Sequence, residues 1–218
     1  AHQLNEFKAQ IDRLIADGME QEEALYKVLK ETIIASKDIR FEGDGYSEEW
    51  KQEAARRGLT NINHVPEAIM KFNSPQSKAV LLGEKIFNEN ELTCRVEVEL
   101  EKFTKKVQIE SRVLGDLAIN HIIPTAVIYQ NRLLENLRGL RETFSSEEYE
   151  SLGSDRRELV KDIQLRILEI KKLVRDMTEA RKVANHLPNE IEKAFSYADN
   201  VRPYLEAIRE HIDQMELE

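Results

Sequence analysis

ENELTCRVEVELEKFTKKVQIESRVLGDLAINHIIPTAVIYQNRLLENLRGLRETF, residues Glu89 to Phe144, decides how the rest of the chain is read. Along it Leu100, Phe103, Val107, Leu114, Leu117, Ile128, Leu134 and Leu137 recur at helical rather than strand spacing. An unbroken helix of that length spans roughly 80 Å at about 1.5 Å per residue. Ordinary globular helices are far shorter, so this one needs other helices along its length. Pro124 offers no N–H to the Asn120 carbonyl and its ring crowds that turn, which predicts a kink or break near residues 120–123. A kink is favoured, because apolar positions continue on both sides with no cluster of turn residues between them. Gly115 costs about 1 kcal/mol relative to Ala inside a helix, which close approach of a neighbouring helix could offset.

Working outward, Leu4 to Ala16 carries Leu4, Phe7, Ile11, Leu14 and Ile15 on one face, and Gly18 supplies a stop. A second helix is expected from about Glu20 to Ser36, with Ala24, Leu25, Val28, Leu29, Thr32 and Ile33 as its apolar face. The two read as a helical hairpin. Gly43-Asp44-Gly45 signals a turn, and Ser47 has the hydroxyl to cap a short helix from Glu48 to Arg57 that Gly58 ends. Pro66 opens a helix of one or two turns, and Ser74-Pro75 starts another that is expected to reach Phe87. Beyond Phe144, SSEEYESLGSD combines a cap serine, a short acidic turn and Gly153, which predicts a chain reversal before a helix from Asp155 to His186. Its apolar steps are Leu159, Ile163, Ile170, Val174, Met177 and Ala184, with Arg166 or Ile167 and Arg181 in the gaps. Pro188 opens the last helix, stepping through Ile191, Ala194, Ala198, Val201, Leu205, Ile208, Ile212 and Met215, with Pro203 as a second kink candidate. The expected fold is all-α: an elongated antiparallel bundle of three long helices with a cluster of short helices at one end.

Composition narrows the function. The 218 residues are 41% apolar and 33% charged, contain no internal repeat, and allow a real core in one or two domains. No run is long enough to cross a membrane and no N-terminal signal stands out, so a soluble cytoplasmic chain is expected. The single Cys94 excludes an internal disulfide framework and a cysteine-built metal site. A net charge of −9, with no Lys/Arg stripe interleaved with aromatics, argues against nucleic acid as a partner.

The residues offer little reactive chemistry. A di-iron bundle needs Glu-x-x-His on facing helices, yet Asn61, Ala118, Val183 and Ile208 stand three before His64, His121, His186 and His211. His-Glu-x-x-His is missing too, and Gly43-Asp44-Gly45 lacks both the third glycine and the Lys-Ser/Thr of phosphate loops. Cys94 has no sequence-neighbouring histidine and reads as buried or idle, while Glu210-His211 reads as a solvated face. The unusual polar content is Gln108, Glu110, Arg112, Asp116, Asn120 and His121 on the long helix. These could form a buried network or a ligand site near Pro124; the alternative turns them toward solvent or paired partners. No catalytic, cofactor-binding or metal-ligating residue is assigned from sequence.

IRFEGDGYSEEW (Ile39 to Trp50), EAARRGL (Glu53 to Leu59) and above all IESRVLGDLAINHIIPTAVIYQNRL (Ile109 to Leu133) resemble the C-terminal region of type III glutamine synthetases. The resemblance continues through ARKVANHL (Ala180 to Leu187) and VRPYLEAIREHID (Val201 to Asp213). It implies a parent enzyme in which ATP phosphorylates the glutamate side chain and ammonia displaces the phosphate to give glutamine. It also implies magnesium or manganese beside the ATP, and a ring-shaped homo-oligomer of two stacked hexamers, a dodecamer, in a bacterial cytoplasm. The family's catalytic signatures lie upstream of the matching region, so no catalytic role carries over onto these residues.

On that resemblance, Ala1-His2-Gln3 leading directly into helix fits an excised C-terminal portion. Residues 1–88 are expected to be a short-helix cluster that joins the catalytic domain, and 89–218 the long-helix bundle. Packing, assembly or regulation is the expected work. A free-standing, coiled-coil-like interaction module is the other reading, and a residue lent to the parent's active site from Arg40 to Tyr46 is a third.

Overall fold

The computed structural model describes residues 2–217, so the expectation at Ala1 lies outside the described residues. All regular structure among them is helical. The chain divides into two units, 1–62 and 63–218.

In the first unit, α1 (His2–Ala16) and α2 (Gln21–Ala35) pair as the expected hairpin, and Gly18 takes the positive φ of +95° that the turn needs. The apolar face of α2 is only half used. Ala24 and Val28 are buried, whereas Leu25, Leu29 and Ile33 stay exposed. A single 3₁₀ turn (Lys37–Ile39) leads to α3 (Glu48–Arg56), whose Trp50 N–H donates to the Ser47 hydroxyl at 3.2 Å, the predicted cap.

In the second unit, α4 (Val65–Met70) and α5 (Pro75–Gly83) come first. The α5 helix stops short of the expected Phe87 because Lys85 turns to a φ of +54°. Residues 63–88 belong to the same unit as the long helices, and Ile69 and Met70 of α4 pack on Val96 and Leu100.

The long helix exists as one continuous run over 89–143. Its first part is α6 (Glu89–Leu117), opened by a capping box in which the Glu91 N–H donates to Asn88 Oδ1 at 2.9 Å and the Asn88 N–H donates to Glu91 Oε2 at 2.8 Å. After a five-residue π turn (Ala118–Ile122), α7 (Ile123–Thr143) continues it. The distortion expected at Pro124 takes that form: the Ile123 N–H reaches back five residues to the Ala118 carbonyl. The Thr125 hydroxyl then donates to the His121 carbonyl at 2.8 Å, satisfying an acceptor close to the proline.

Pro203 is accommodated in the same way. The last helix begins as α9 (Glu190–Ser196), passes through a π turn (Tyr197–Val201) and continues as α10 (Arg202–Glu216), with the Arg202 N–H reaching the Tyr197 carbonyl. Each proline therefore sits two residues beyond its π turn.

Between them runs α8 (Ser146–Asn185), which corrects the expected start at Asp155. The chain reverses within two residues, because Ser145 and Glu148 form a second capping box that begins the helix at once. Gly153 is consequently inside α8 and buried, where a Cβ would meet Leu137 Cδ2 at 3.2 Å. Leu137 facing Gly153, Gly115 facing Met177 and Gln108 facing Asn185 show that α8 runs antiparallel to the long helix. The last helix runs antiparallel to α8, with Tyr197 bonded to Asn185 and Arg166 to Gln214. Their shared core holds Val107, Ile163, Ile167, Ile170, Met177, Tyr197, Val201 and Ile208.

Candidate functional site

The buried stripe of α6 forms a seam chiefly with α9 and the Tyr197 turn, and toward its end with α8. Successive buried positions on α6 are Leu100, Thr104, Val107, Ser111 and Gly115, followed by Ala118, while bulkier Leu117 on the same helix is exposed. A Cβ on Gly115 would lie 3.5 Å from both Met177 Cε and Val174 Cγ1.

Polar groups gather where α6, α8 and the Tyr197 turn meet. The Tyr197 hydroxyl donates to Asn185 Oδ1 at 2.7 Å, and Gln108 Nε2 donates to the same oxygen at 3.2 Å. Through that shared oxygen three helical segments are tied together at one point. Tyr197 has no exposed surface. Burial raises its pKa, opposed chiefly by the nearby Arg181 charge. Arg181, one turn beyond Met177 on α8, is half-buried, with an Nε that is sealed from solvent and has no acceptor. Burial, and secondarily the charge of Arg112 on α6, hold the Arg181 pKa below its ordinary value.

Of the six polar residues singled out on the long helix, the structure thus brings Gln108 and Arg112 to one place. The rest go elsewhere. Glu110 lies 4.0 Å from Lys106 across one helical turn, and Asp116 accepts from Asn120 Nδ2 at 2.7 Å on an exposed face. His121 lies by the π turn, where it joins Ile122, Tyr129, Met215 and Glu216 around a separate cleft of about 370 Å³. Asn185, Tyr197 and Arg181 complete the seam, and sequence reading did not connect them with it. The only signal was Arg181 standing in an otherwise apolar series.

The first unit has its own polar cleft, of about 500 Å³, formed around Arg40, Phe41, Glu42, Arg56 and Arg57. Its walls are held by backbone acceptors: Arg57 donates to the Arg40 carbonyl at 2.6 Å, and Arg40 to the Ile33 carbonyl at 2.7 Å. Phe41 packs tilted on Trp50 with ring centroids 4.4 Å apart, and Gly43 lies so close beside it that a Cβ there would fall 2.6 Å from the Phe41 ring and displace it. Glu53 is clamped by Arg56 and then Arg57, which hold its pKa down at about 2.

Among the described residues, no group of three or more His, Cys, Asp or Glu side chains gathers as a metal site. Cys94 is exposed rather than buried. The Glu210-His211 pair is not the fully solvated face expected, since His211 is half-buried and its Nδ1 is sealed without a partner. His64 serves structure: its Nδ1 accepts the Glu67 N–H at 3.3 Å as the cap of α4. That leaves Nε2 to carry the proton toward Asp199 Oδ1, 3.0 Å away. No helix among the described residues is long and apolar enough to cross a membrane.

Comparison with known proteins fits these arrangements into a family. A family model described as the glutamine synthetase C-terminal domain matches residues 24–141, which include the polar cleft of the first unit and most of the long helix. A glutamine synthetase from Bacteroides fragilis (strain YCH46) is 69% identical over 218 residues, covering 100% of this chain and 30% of the relative. A glutamine synthetase from Butyrivibrio fibrisolvens is 28% identical over 91% of the chain and 28% of the relative. A type-3 glutamine synthetase from Dictyostelium discoideum is 27% identical over 86% of the chain and 27% of the relative. The chain spans less than a third of the length of these curated relatives. A chain, helical throughout its described regular structure, whose polar cleft and nearly all of whose long helix fall within the matched span belongs to the glutamine synthetase C-terminal domain family.

Proposed function

We propose that this chain is the C-terminal helical region of a type III glutamine synthetase and that its work is assembly and packing rather than catalysis. The parent reaction is the ATP-dependent ligation of ammonia to glutamate, with magnesium or manganese beside the nucleotide. The parent is a cytoplasmic, bacterial, ring-shaped homo-oligomer, a dodecamer, whose catalytic groups lie in the part of the polypeptide that this chain does not contain.

The uncovered apolar face of the α1–α2 hairpin carries this reading. Leu25, Leu29 and Ile33 stand one turn apart on α2 and are 44%, 48% and 53% exposed. Ile15 on α1 is exposed as well, while Phe7, Ile11 and Leu14 are only half-buried. Within 1–62 the fully buried apolar residues are Ala24, Val28 and Ala54, too few to make a core for a hairpin with so much apolar surface. Contiguous exposed apolar residues of this kind mark an interaction face. The occupant is the remaining polypeptide of the enzyme, in the same subunit or the next, since more than two-thirds of each relative lies outside the matched region. Covering three half-exposed side chains contributes about 1 kcal/mol each, by the transfer energy of a large apolar residue.

The test is an ATP-dependent glutamine-formation assay on the complete gene product. The reading expects glutamine to form, and expects Leu25→Asp with Leu29→Asp to abolish ring assembly. A complete gene product that consumes no ATP with glutamate and ammonia refutes it.

A further inference from the structure

The cleft beside the first π turn has an apolar floor drawn from three helices: Ile122 and Ala126 from the long helix, Ile163 from α8, and Ile212 and Met215 from α10. Ile163 and Ile212 are buried, so that floor belongs to the packed bundle rather than to a loop. The π turn ends at the cleft. Its last two residues, His121 and Ile122, line it, and Ala126 and Tyr129 continue the same face at steps of four and three. Ala126 keeps the space open, because it presents one methyl group between Ile122 and Tyr129. Single π turns inside α-helices occur frequently at functional sites. At about 370 Å³ the cleft has the size of a small-molecule pocket, and the space between the helices of a bundle is a common place for one.

The exposed polar groups of the lining suit a cation. Glu216 is the one acid among the lining residues and none of them is Lys or Arg, whereas Lys37, Arg40, Arg56 and Arg57 line the cleft of the first unit. Arg166, one turn beyond Ile163 on α8, is held by Gln214. The Tyr129 ring offers a π face to a cation, and an imidazole nitrogen such as that of His121 accepts a hydrogen bond from an ammonium. The chain as a whole carries −9, which also favours a positively charged ligand. We infer that this cleft binds a small organic amine, its apolar body on Ile122, Ala126, Ile163 and Met215 and its ammonium group toward Glu216 and Tyr129.

Ligand-observed NMR titration of the complete gene product with tryptamine, and with its neutral alcohol counterpart tryptophol, tests the site. The wild type is expected to bind tryptamine more tightly than tryptophol. Ala126→Phe fills the cleft and is expected to abolish this binding of both. Glu216→Gln is expected to weaken tryptamine about two- to fivefold, the size of an exposed ion pair, and to leave tryptophol unchanged. Glu216 is exposed in the last turn of α10, so its replacement spares the fold and carries the test by itself where Ala126→Phe disturbs packing. Amine binding in other parts of the gene product is common to all three proteins and cancels in the difference. Tryptamine binding that is the same in the wild type and Glu216→Gln overturns the proposal. So does an equal weakening of tryptophol, a folded Ala126→Phe that binds as the wild type does, or a wild type that binds tryptamine no better than tryptophol.

Discussion

Replacing Gly115 by alanine measures how closely the long helix and α8 approach. Gly115 is buried in the interior of α6, and its own conformation is helical, so the glycine is not required by a positive φ. Alanine at an interior helix position is favoured over glycine by about 0.8–1.0 kcal/mol. The added Cβ would sit 3.5 Å from Met177 Cε and from Val174 Cγ1, which is ordinary contact rather than overlap. Burying one carbon there adds up to about 0.8 kcal/mol. Gly115→Ala is therefore expected to stabilise the chain by about 1–2 kcal/mol, or a few degrees in Tm for a chain of this size. Gly139→Ala, with nothing within 4 Å of its Cβ, isolates the propensity part, and Gly115→Leu is expected to cost about 1–3 kcal/mol by overpacking. Urea unfolding followed by far-UV circular dichroism reads all three. A destabilised Gly115→Ala beside a stabilised Gly139→Ala would show that the helices lie closer than the structure has them, and the reasoning would fail.

Ser145→Ala removes the cap that lets α8 begin at Ser146, and is expected to cost about 1 kcal/mol in the same urea assay. Met177→Ala empties a site with no solvent exposure and is expected to cost about 2–5 kcal/mol, whereas Met177→Leu stays under about 1.5 kcal/mol. Glu53 has its pKa lowered from 4.5 to about 2 by Arg56 and Arg57, so its stabilising contribution is complete above pH 4.5 and lost as pH falls through about 2. Unfolding of the first unit, followed through the fluorescence of Trp50, is expected to differ between wild type and Glu53→Gln at pH 5, the difference closing toward pH 2. If the loop after Arg40 reaches the parent's active site, Glu42→Gln or Asp44→Asn changes the kinetics for glutamate or ATP without disturbing assembly; unchanged kinetics remove that role.

The helices themselves were legible because their signals are local. Ser47 and Ser74 cap where they stand, and steps of three and four mark the apolar stripes. The π turns were not legible. A π turn has no residue signature, and Pro124 and Pro203 indicate only that some distortion must occur nearby. On the last helix Tyr197 is enclosed where the stepping named its neighbour Ala198, and Ile191, in the first turn, is exposed. Gly153 was read as part of a reversal because a buried glycine within a helix and a glycine in a turn look alike in sequence. The seam needed the third dimension. Gln108 and Asn185 are 77 residues apart, and only the antiparallel pairing of the long helix with α8 brings them together.

Sedimentation velocity of the complete gene product, wild type against Leu29→Asp with Ile33→Asp, tests most directly whether this region serves assembly. Both residues are half-exposed on α2, so the substitutions leave the helix itself intact. The account predicts a large ring-sized species for the wild type and its collapse to smaller species in the variant, with far-UV circular dichroism unchanged. A variant that sediments as the wild type does would contradict it.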